Sequence, residues 1–264
     1  MRNSPQLSLV VPYRKREAYL NLLLSRLSAI REQEGFTGFE LVLVEGDEQP
    51  AARDLVDKYE WARYLHVLLP GVFNRALLAN RGAAVANGEY LMVYDVDLLP
   101  ADGVLSNHLA LASASPASLV AGYRLQLPWM LSEPAIPDAS RLVEESAARK
   151  QSLVCPEDSY GALVKYLLCG EKVGVCACYP AKTFASVGGM DEGYVGWGPE
   201  DSDFMERMCN TGLALVRCYD LLYYHLPHDL EKLWYDPALV EANRARYNEK
   251  RRAAGTADAR DPAG

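Results

Sequence analysis

Asp95 and Asp97 stand one residue apart where the apolar run Tyr90 to Tyr94 ends, in the stretch EYLMVYDVDLLP. Side chains alternate across an extended segment, so two carboxylates at this spacing face one side and can converge on one cation. A divalent metal bridging a diphosphate suits that arrangement, because a buried strand running into two like charges is costly without a cation nearby. Taken alone the pair is a weak signal, since acids at strand ends also make turns and helix caps. A second acidic group, Glu200, Asp201 and Asp203, sits in WGPEDSDF at the start of a helical pattern. One acid there is enough to complement the helix dipole. Three of them, after a glycine-flanked Trp197, suggest a site that binds a hydroxyl-bearing acceptor beside a mobile loop, with Trp197 stacked on the apolar face of a sugar ring.

Two further groups could complete such a site. YYHLPHD places His225 and His228 three residues apart after an apolar run, whereas His66 and His108 occur singly and read as structural. Mixed imidazole and carboxylate ligation favours Mn²⁺ over Mg²⁺, and spacing leaves the choice between the two histidines open. In VPYRKRE, Arg14 and Arg16 follow the first strand, and Arg75 in FNRALLANRG opens a helix whose amino end also attracts anions. Basic residues concentrated at these two places in an otherwise acidic chain could meet a phosphate.

The elements that would carry these residues alternate in type. Strand patterns at LSLVVPY, FELVLVE, RYLHVLL and residues 89 to 94 are separated by helical patterns at REAYLNLLLSRLSAI, near residues 50 to 60, and at FNRALLANRGAAVANG. That rhythm indicates an α/β fold with a mostly parallel sheet flanked by helices, whose ligands sit beyond the carboxyl ends of the strands. Tyr13, Arg14, Glu45, Asp47, Asp95 and Asp97 all fall at such ends. From 124 to 172 the pattern breaks into proline-rich and charged sequence and reads as an insertion. A strand at KVGVCACY, a short helix at PAKTFASVGG, the loop MDEGYVGWGPE, a helix at EDSDFMERMCNTG, strand sequence at LALVRCYDLLYYH and a polar terminal helix follow. The expected organisation is one domain over residues 1–250, with a nucleotide-binding half to about 123, the insertion, an acceptor-binding half over 173–228, and a disordered tail at 251–264.

At 264 residues, half of them hydrophobic, the chain can bury one sizeable core. Its net charge of -8 argues against nucleic acid as a partner. No apolar run approaches the ~20 residues of a membrane span, and no signal peptide precedes the first strand, which points to a cytoplasmic protein with peripheral access to any lipid-linked acceptor. The six cysteines do not make paired zinc knuckles and read as reduced, mostly buried small residues.

Taken together, VVPYRKRE, FNRALLANRG, YDVDLLP, GGMDEGYVGWGPEDSDF and YYHLPHD resemble the metal-dependent GT-A glycosyltransferases, similar to the β-1,4-galactosyltransferases and chondroitin-polymerase-like enzymes. The resemblance runs over most of residues 7 to 228 and implies a Rossmann-like GT-A domain. It assigns Asp97 and His225 to the metal, with His228 as a further candidate. The methionine that galactosyltransferases carry three residues before the histidine is replaced here by Leu222, which offers no donor. It places Asp95, Pro12, Tyr13, Arg14, Arg16, Phe73 and Arg75 against the nucleotide sugar, where the strand-end reading also puts Glu45. Glu200 and Trp197 hold the acceptor and Asp201 is the catalytic base.

The implied activity is inverting transfer of galactose or N-acetylgalactosamine from a UDP-sugar to a saccharide or glycoconjugate hydroxyl, with Mn²⁺, or Mg²⁺ as the alternative. Two other readings compete. A sugar-phosphate nucleotidyltransferase shares the sheet, but this chain lacks the glycine-rich basic loop such enzymes carry near the amino terminus. A non-catalytic sugar-binding domain of the same fold would bind nucleotide without turnover.

Overall fold

The structure is a computed structural model that describes residues 5–126, 175–226 and 236–255. His228, most of the expected insertion and most of the expected tail lie outside the described residues. Strands β1 (Leu7–Tyr13), β2 (Phe39–Asp47), β3 (Ala62–Leu68) and β4 (Tyr90–Val93) alternate with helices α1 (Glu17–Gln33), α2 (Arg53–Val56) and α3 (Arg75–Ala83). The chain continues through β5 (Leu98–Pro100), α4 (Val104–Ala114), β6 (Ser118–Gln126), β7 (Val175–Pro180), α5 (Ala181–Ser186), α6 (Glu200–Asn210), β8 (Ala214–His225) and α7 (Pro237–Ala253). The sheet order is β3-β2-β1-β4-β7-β6-β8-β5.

Alternation along β1 and β2 builds two cores. Leu7, Leu9 and Val11, with Leu41 and Leu43, pack with Leu20, Leu23, Leu24, Leu27 and Ile30 of α1. Val10, Val42 and Val44 face the other way, onto Ala76, Leu78 and Ala79 of α3. Helices therefore cover both faces of this part of the sheet, which is why its strands read as continuous apolar runs. A close approach on the α3 side needs glycine: a Cβ on Gly82 would lie 2.8 Å from Cγ2 of Val44.

Strand β1 pairs in parallel with β2 on one side and with β4 on the other. The chain fills the β2 and β3 side first and then crosses to β4. The carboxyl ends of β1 and β4 thus flank the point where strand order reverses, the place where open α/β sheets bind ligands. Beyond β4 the sheet turns mixed: β7 is antiparallel to β4 and β6, β8 is parallel to β6, and β5 is antiparallel to β8.

Several elements depart from the sequence reading. The helix expected near 50 to 60 contracts to one turn, because the Glu45 carboxylate accepts from the amides of Ala51 and Ala52 at 2.9 and 3.0 Å and holds the chain before it. The helix expected to reach Gly88 ends at Ala83. The Glu40 carboxylate accepts from the amide of Asn87, and the Ser8 hydroxyl accepts from the amide of Gly88 at 2.8 Å, drawing the chain toward β4. Strand β6 takes the first three residues of the expected insertion. Cys176 and Cys178 are buried free thiols.

His108 in α4 is fully buried and is structural, as its isolation in sequence suggested. Its Nε2 lies 2.9 Å from the Val120 carbonyl, which can only accept, so that nitrogen carries the proton and Nδ1 accepts from the Tyr223 hydroxyl at 2.7 Å. Burial pushes the ring pKa down from 6.5 to about 4. The unfolded chain binds a proton here that the folded chain refuses, so stability falls as pH drops from 6.5 toward 4, by on the order of 3 kcal/mol in all. In urea unfolding at pH 7 and pH 5, His108→Gln should lose less stability on acidification than the parent. Equal losses would show that His108 does not set this slope.

Candidate active site

The site assembles at the β1/β4 switch point. Strand β4 stops at Val93, and residues 95 to 98 form a turn in which the Leu98 amide donates to the Asp95 carbonyl at 3.2 Å. Asp95 and Asp97 therefore do not share one face of an extended strand as their spacing suggested. The turn sends them to different partners. Asp95 accepts from Nε and Nη2 of Arg75 at 3.1 and 2.9 Å. Asp97, only 3 % exposed, accepts from Arg16 and lies with its Oδ2 3.7 Å from Nε2 of His225. The β5–β8 ladder fixes that last approach, since Leu98 is the register partner of His225 and the Leu226 amide donates to the Asp97 carbonyl at 2.9 Å.

Lys15 separates the two arginines of YRKRE. Its φ of +48° is a left-handed conformation rare for a side-chain-bearing residue, at a cost of roughly 1 kcal/mol. Arg16 ends at Asp97. Arg14 is buried, and its guanidinium donates to the carbonyls of Gly46, Leu69 and Gly71, tying the end of β2 to the loop after β3. The same guanidinium lies 5.6 Å from the Phe73 ring centre. Tyr13 is the register partner of Glu45, as Pro12 is of Val44. Glu45 is 1 % exposed; its Oε2 accepts from Ala51, Ala52 and the Tyr64 hydroxyl, while Oε1 is buried with no hydrogen-bond partner.

Helix α6 delivers the second acidic group. Its amino end has Pro199 at the cap position, a residue that offers no side-chain cap. Asp201 accepts from Nη1 of Arg75, the guanidinium that also holds Asp95. Glu200 is buried, and burial together with the neighbouring Asp201 holds its carboxyl well above the usual carboxylate range. Asp203 turns away, is buried, and pairs with Arg207 at 2.9 Å and with Lys250. Trp197 is 57 % exposed.

The loop carrying Trp197, expected to be a mobile lid from its glycines, is held at several points. Asn74 and Asn80 donate to the carbonyls of Glu192 and Met190, and the Gly196 amide donates to the Phe73 carbonyl at 2.9 Å. Asn74 also caps α3 by accepting from the Leu77 amide. These two asparagines flank Arg75 in sequence and were not singled out there; asparagine at a helix start is a common cap, so residue type carried no hint of the second bond.

Direct contacts thus make two groups, Arg75 with Asp95 and Asp201, and Arg16 with Asp97 and His225; Tyr13 joins the second through its hydroxyl, which accepts from the Arg16 amide at 3.2 Å. Among the described residues no three histidine, cysteine or acidic side chains converge closely enough to hold a metal ion by themselves. No described helix is long and apolar enough to cross a membrane.

Comparison with known proteins places this geometry. Two curated relatives, the validoxylamine A glucosyltransferases of Streptomyces hygroscopicus subsp. jinggangensis and subsp. limoneus, are each 27 % identical over 249 residues, covering 85 % of this chain. The chain spans about half of their length, 56 % and 52 %. Among solved structures, the catalytic domain of Drosophila β1,4-galactosyltransferase 7 in complex with xylobiose superposes with a TM-score of 0.54 at 19 % identity, over 88 % of this chain and 75 % of that one. S. aureus TarS residues 1-349 superpose with a TM-score of 0.59 at 15 % identity, over 84 % and 60 %. A mutant of the Drosophila enzyme, in complex with manganese, UDP-Gal and xylobiose, gives a TM-score of 0.52 at 19 % identity, over 86 % and 73 %. At these identities the likenesses establish the fold. A family described as the N-terminal domain of galactosyltransferase matches residues 164–229. Glycosyl transferase family 2 matches residues 8–148, more than half of the chain. The chain belongs to glycosyl transferase family 2, and it is a glycosyltransferase of the GT-A fold that resembles the galactosyltransferases.

Proposed function

We propose that the protein transfers a hexose, galactose or N-acetylgalactosamine, from a UDP-sugar to a saccharide hydroxyl with inversion, using Mn²⁺ held by Asp97 and His225. The supporting observation is the strand register that sets a buried carboxylate and an imidazole 3.7 Å apart at the switch point. Asp97 and His225 would hold the ion between them, and the pairing of a carboxylate oxygen with an imidazole nitrogen suits manganese. The structural neighbour in complex with manganese and UDP-Gal accords with this reading.

When bound, the metal offsets charge developing on the leaving diphosphate. The chain's own residues do the rest. Arg16 is paired with Asp97 here, and a bound diphosphate would offer it a second anion, which would free the Asp97 carboxylate. Arg75 orients Asp95 toward the donor and Asp201 toward the acceptor with one guanidinium. Arg14 acts through the strand end and loop it ties, shaping a nucleotide pocket bounded by Pro12, Tyr13 and Phe73. Glu45 has a buried Oε1 to accept an N–H from the base. On the acceptor side Trp197 stacks on the sugar and Glu200 holds it. The acceptor hydroxyl oxygen attacks the anomeric carbon from the face opposite UDP, its proton passes to Asp201, and the bond from that carbon to the diphosphate oxygen breaks.

Asp97→Ala and His225→Ala should each abolish Mn²⁺-dependent UDP binding in calorimetry; unchanged affinity in either folded variant would remove that residue from the metal. Asp201→Asn should lower kcat by ~10²- to 10⁴-fold with donor affinity nearly intact, because the base acts in the transition state. A variant that melts lower yet turns over UDP-sugar at the parental rate would return Asp201 to a structural role.

Glu200 has a raised pKa in the fold, so it favours the protonated form. Stability from this group is fully present below the unfolded value of 4.5 and is lost as pH rises through the folded one. An amide side chain at this position cannot ionise, and melting curves from pH 5 to 8.5 should show Glu200→Gln losing less stability with rising pH than the parent. Parallel curves would mean that Glu200 is ionised in the fold throughout.

A further inference from the structure

Helix α7 lies beyond both matched family ranges, 8–148 and 164–229, yet it presses on the loop that carries Trp197. Asn243, Arg246, Tyr247, Lys250 and Arg251 recur at helical spacing and form one face of it. Asn243 is 4 % exposed, and its side-chain nitrogen donates to the carbonyls of Val195 and Trp197 at 2.8 and 2.9 Å. Both hydrogens of that amide are therefore committed to backbone on either side of Gly196. The fit is tight: a Cβ on Gly198 would lie 2.7 Å from Cβ of Asn243, and one on Gly193 would lie 2.6 Å from Cζ of Arg246.

Charge reinforces the contact at both ends of the loop. Asp191 accepts from Nε and Nη2 of Arg246 and from Nζ of Lys250, at 2.9 to 3.0 Å. Lys250 also pairs with Asp203 of α6, and Arg251 and the Tyr247 hydroxyl reach Glu206 of the same helix. The helix thus grips the loop and α6 together, and Glu200 and Asp201 begin α6 immediately after that loop.

We propose that α7 is a positioning strap for the acceptor side of the site, with Asn243 fixing the backbone that presents Trp197 and leads into Glu200 and Asp201. Asn243 touches no reacting group; it is a positioning residue acting through the loop. The catalytic arm of its test rests on the function proposed above, whereas the structural arm does not.

Hydrogen exchange decides the structural arm. In Asn243→Asp, which keeps the shape but has no N–H to donate, and in Gly198→Ala, which wedges the contact from the loop side, amides in 193–198 should exchange roughly ten-fold faster, the scale of one or two lost hydrogen bonds. Amides of β1 and β2 should be unchanged, as should the whole pattern in Glu241→Ala, a substitution on the exposed face of α7. Unchanged exchange in 193–198, or acceleration spread equally over β1 and β2, overturns the strap.

The catalytic arm measures Mn²⁺–UDP affinity by calorimetry and release of UDP from UDP-galactose with water as acceptor. The two loop-contact variants should keep donor affinity within about two-fold and lose turnover by about ten-fold or more. Parental turnover with a loosened loop overturns the positioning role. If the parent itself neither binds Mn²⁺–UDP nor releases UDP, the proposed function fails, and the exchange result still decides whether α7 holds the loop.

Discussion

One guanidinium joins the two halves of this site. Arg75, at the start of α3, holds Asp95 from the β4–β5 turn and Asp201 from the start of α6. Its charge offsets the mutual repulsion of two acids from distant parts of the chain that share one sheet edge. Arg16 pairs likewise with Asp97. Burial makes the Arg16–Asp97 pair sensitive to the loss of a partner: breaking it by removing one member leaves a charge the interior cannot solvate, at a typical cost of about 3 to 5 kcal/mol. Arg16 of VPYRKRE and Arg75 of FNR are thus accounted for by the acids they face, and Arg14 by the carbonyls it binds.

The backbone positions those charges. Parallel pairing of β1 with β2 and β4 creates the switch point, and the antiparallel β5–β8 ladder brings His225 back to it from the far end of the chain. Lys15 takes a left-handed conformation between Arg14, which enters a ring of carbonyls, and Arg16, which reaches Asp97. The cost of that strain is of the same order as a single hydrogen bond, and Arg14 alone makes three.

Short apolar runs alternating with helical sequence made β1, β2, β3 and β4 readable, because helices bury both faces of the central strands and leave them apolar almost throughout. The α6 acids and the glycine-flanked tryptophan were visible as a cluster because they are consecutive in sequence. What sequence did not disclose was set by contacts between distant residues. Asp95 and Asp97 read as one face of a strand, but a turn closed by the Leu98 amide sends them to different arginines. Asp203 looked equivalent to its two neighbours and is instead bound by Arg207 and Lys250. Arg14 and Arg16 looked interchangeable until the conformation of Lys15 divided them. Asn243, in a helix that reads as polar, gave no signal at all, because its importance lies in two carbonyls of a loop nearly fifty positions earlier.

The central claim is that Asp97, His225 and the donor diphosphate share one metal ion. Electron–nuclear double resonance on Mn²⁺ bound with UDP reads that directly. Shared ligation requires imidazole nitrogen and diphosphate phosphorus couplings on the same ion, with the nitrogen coupling lost in His225→Ala. Phosphorus coupling with no nitrogen coupling, or a nitrogen coupling that persists in His225→Ala, would contradict it.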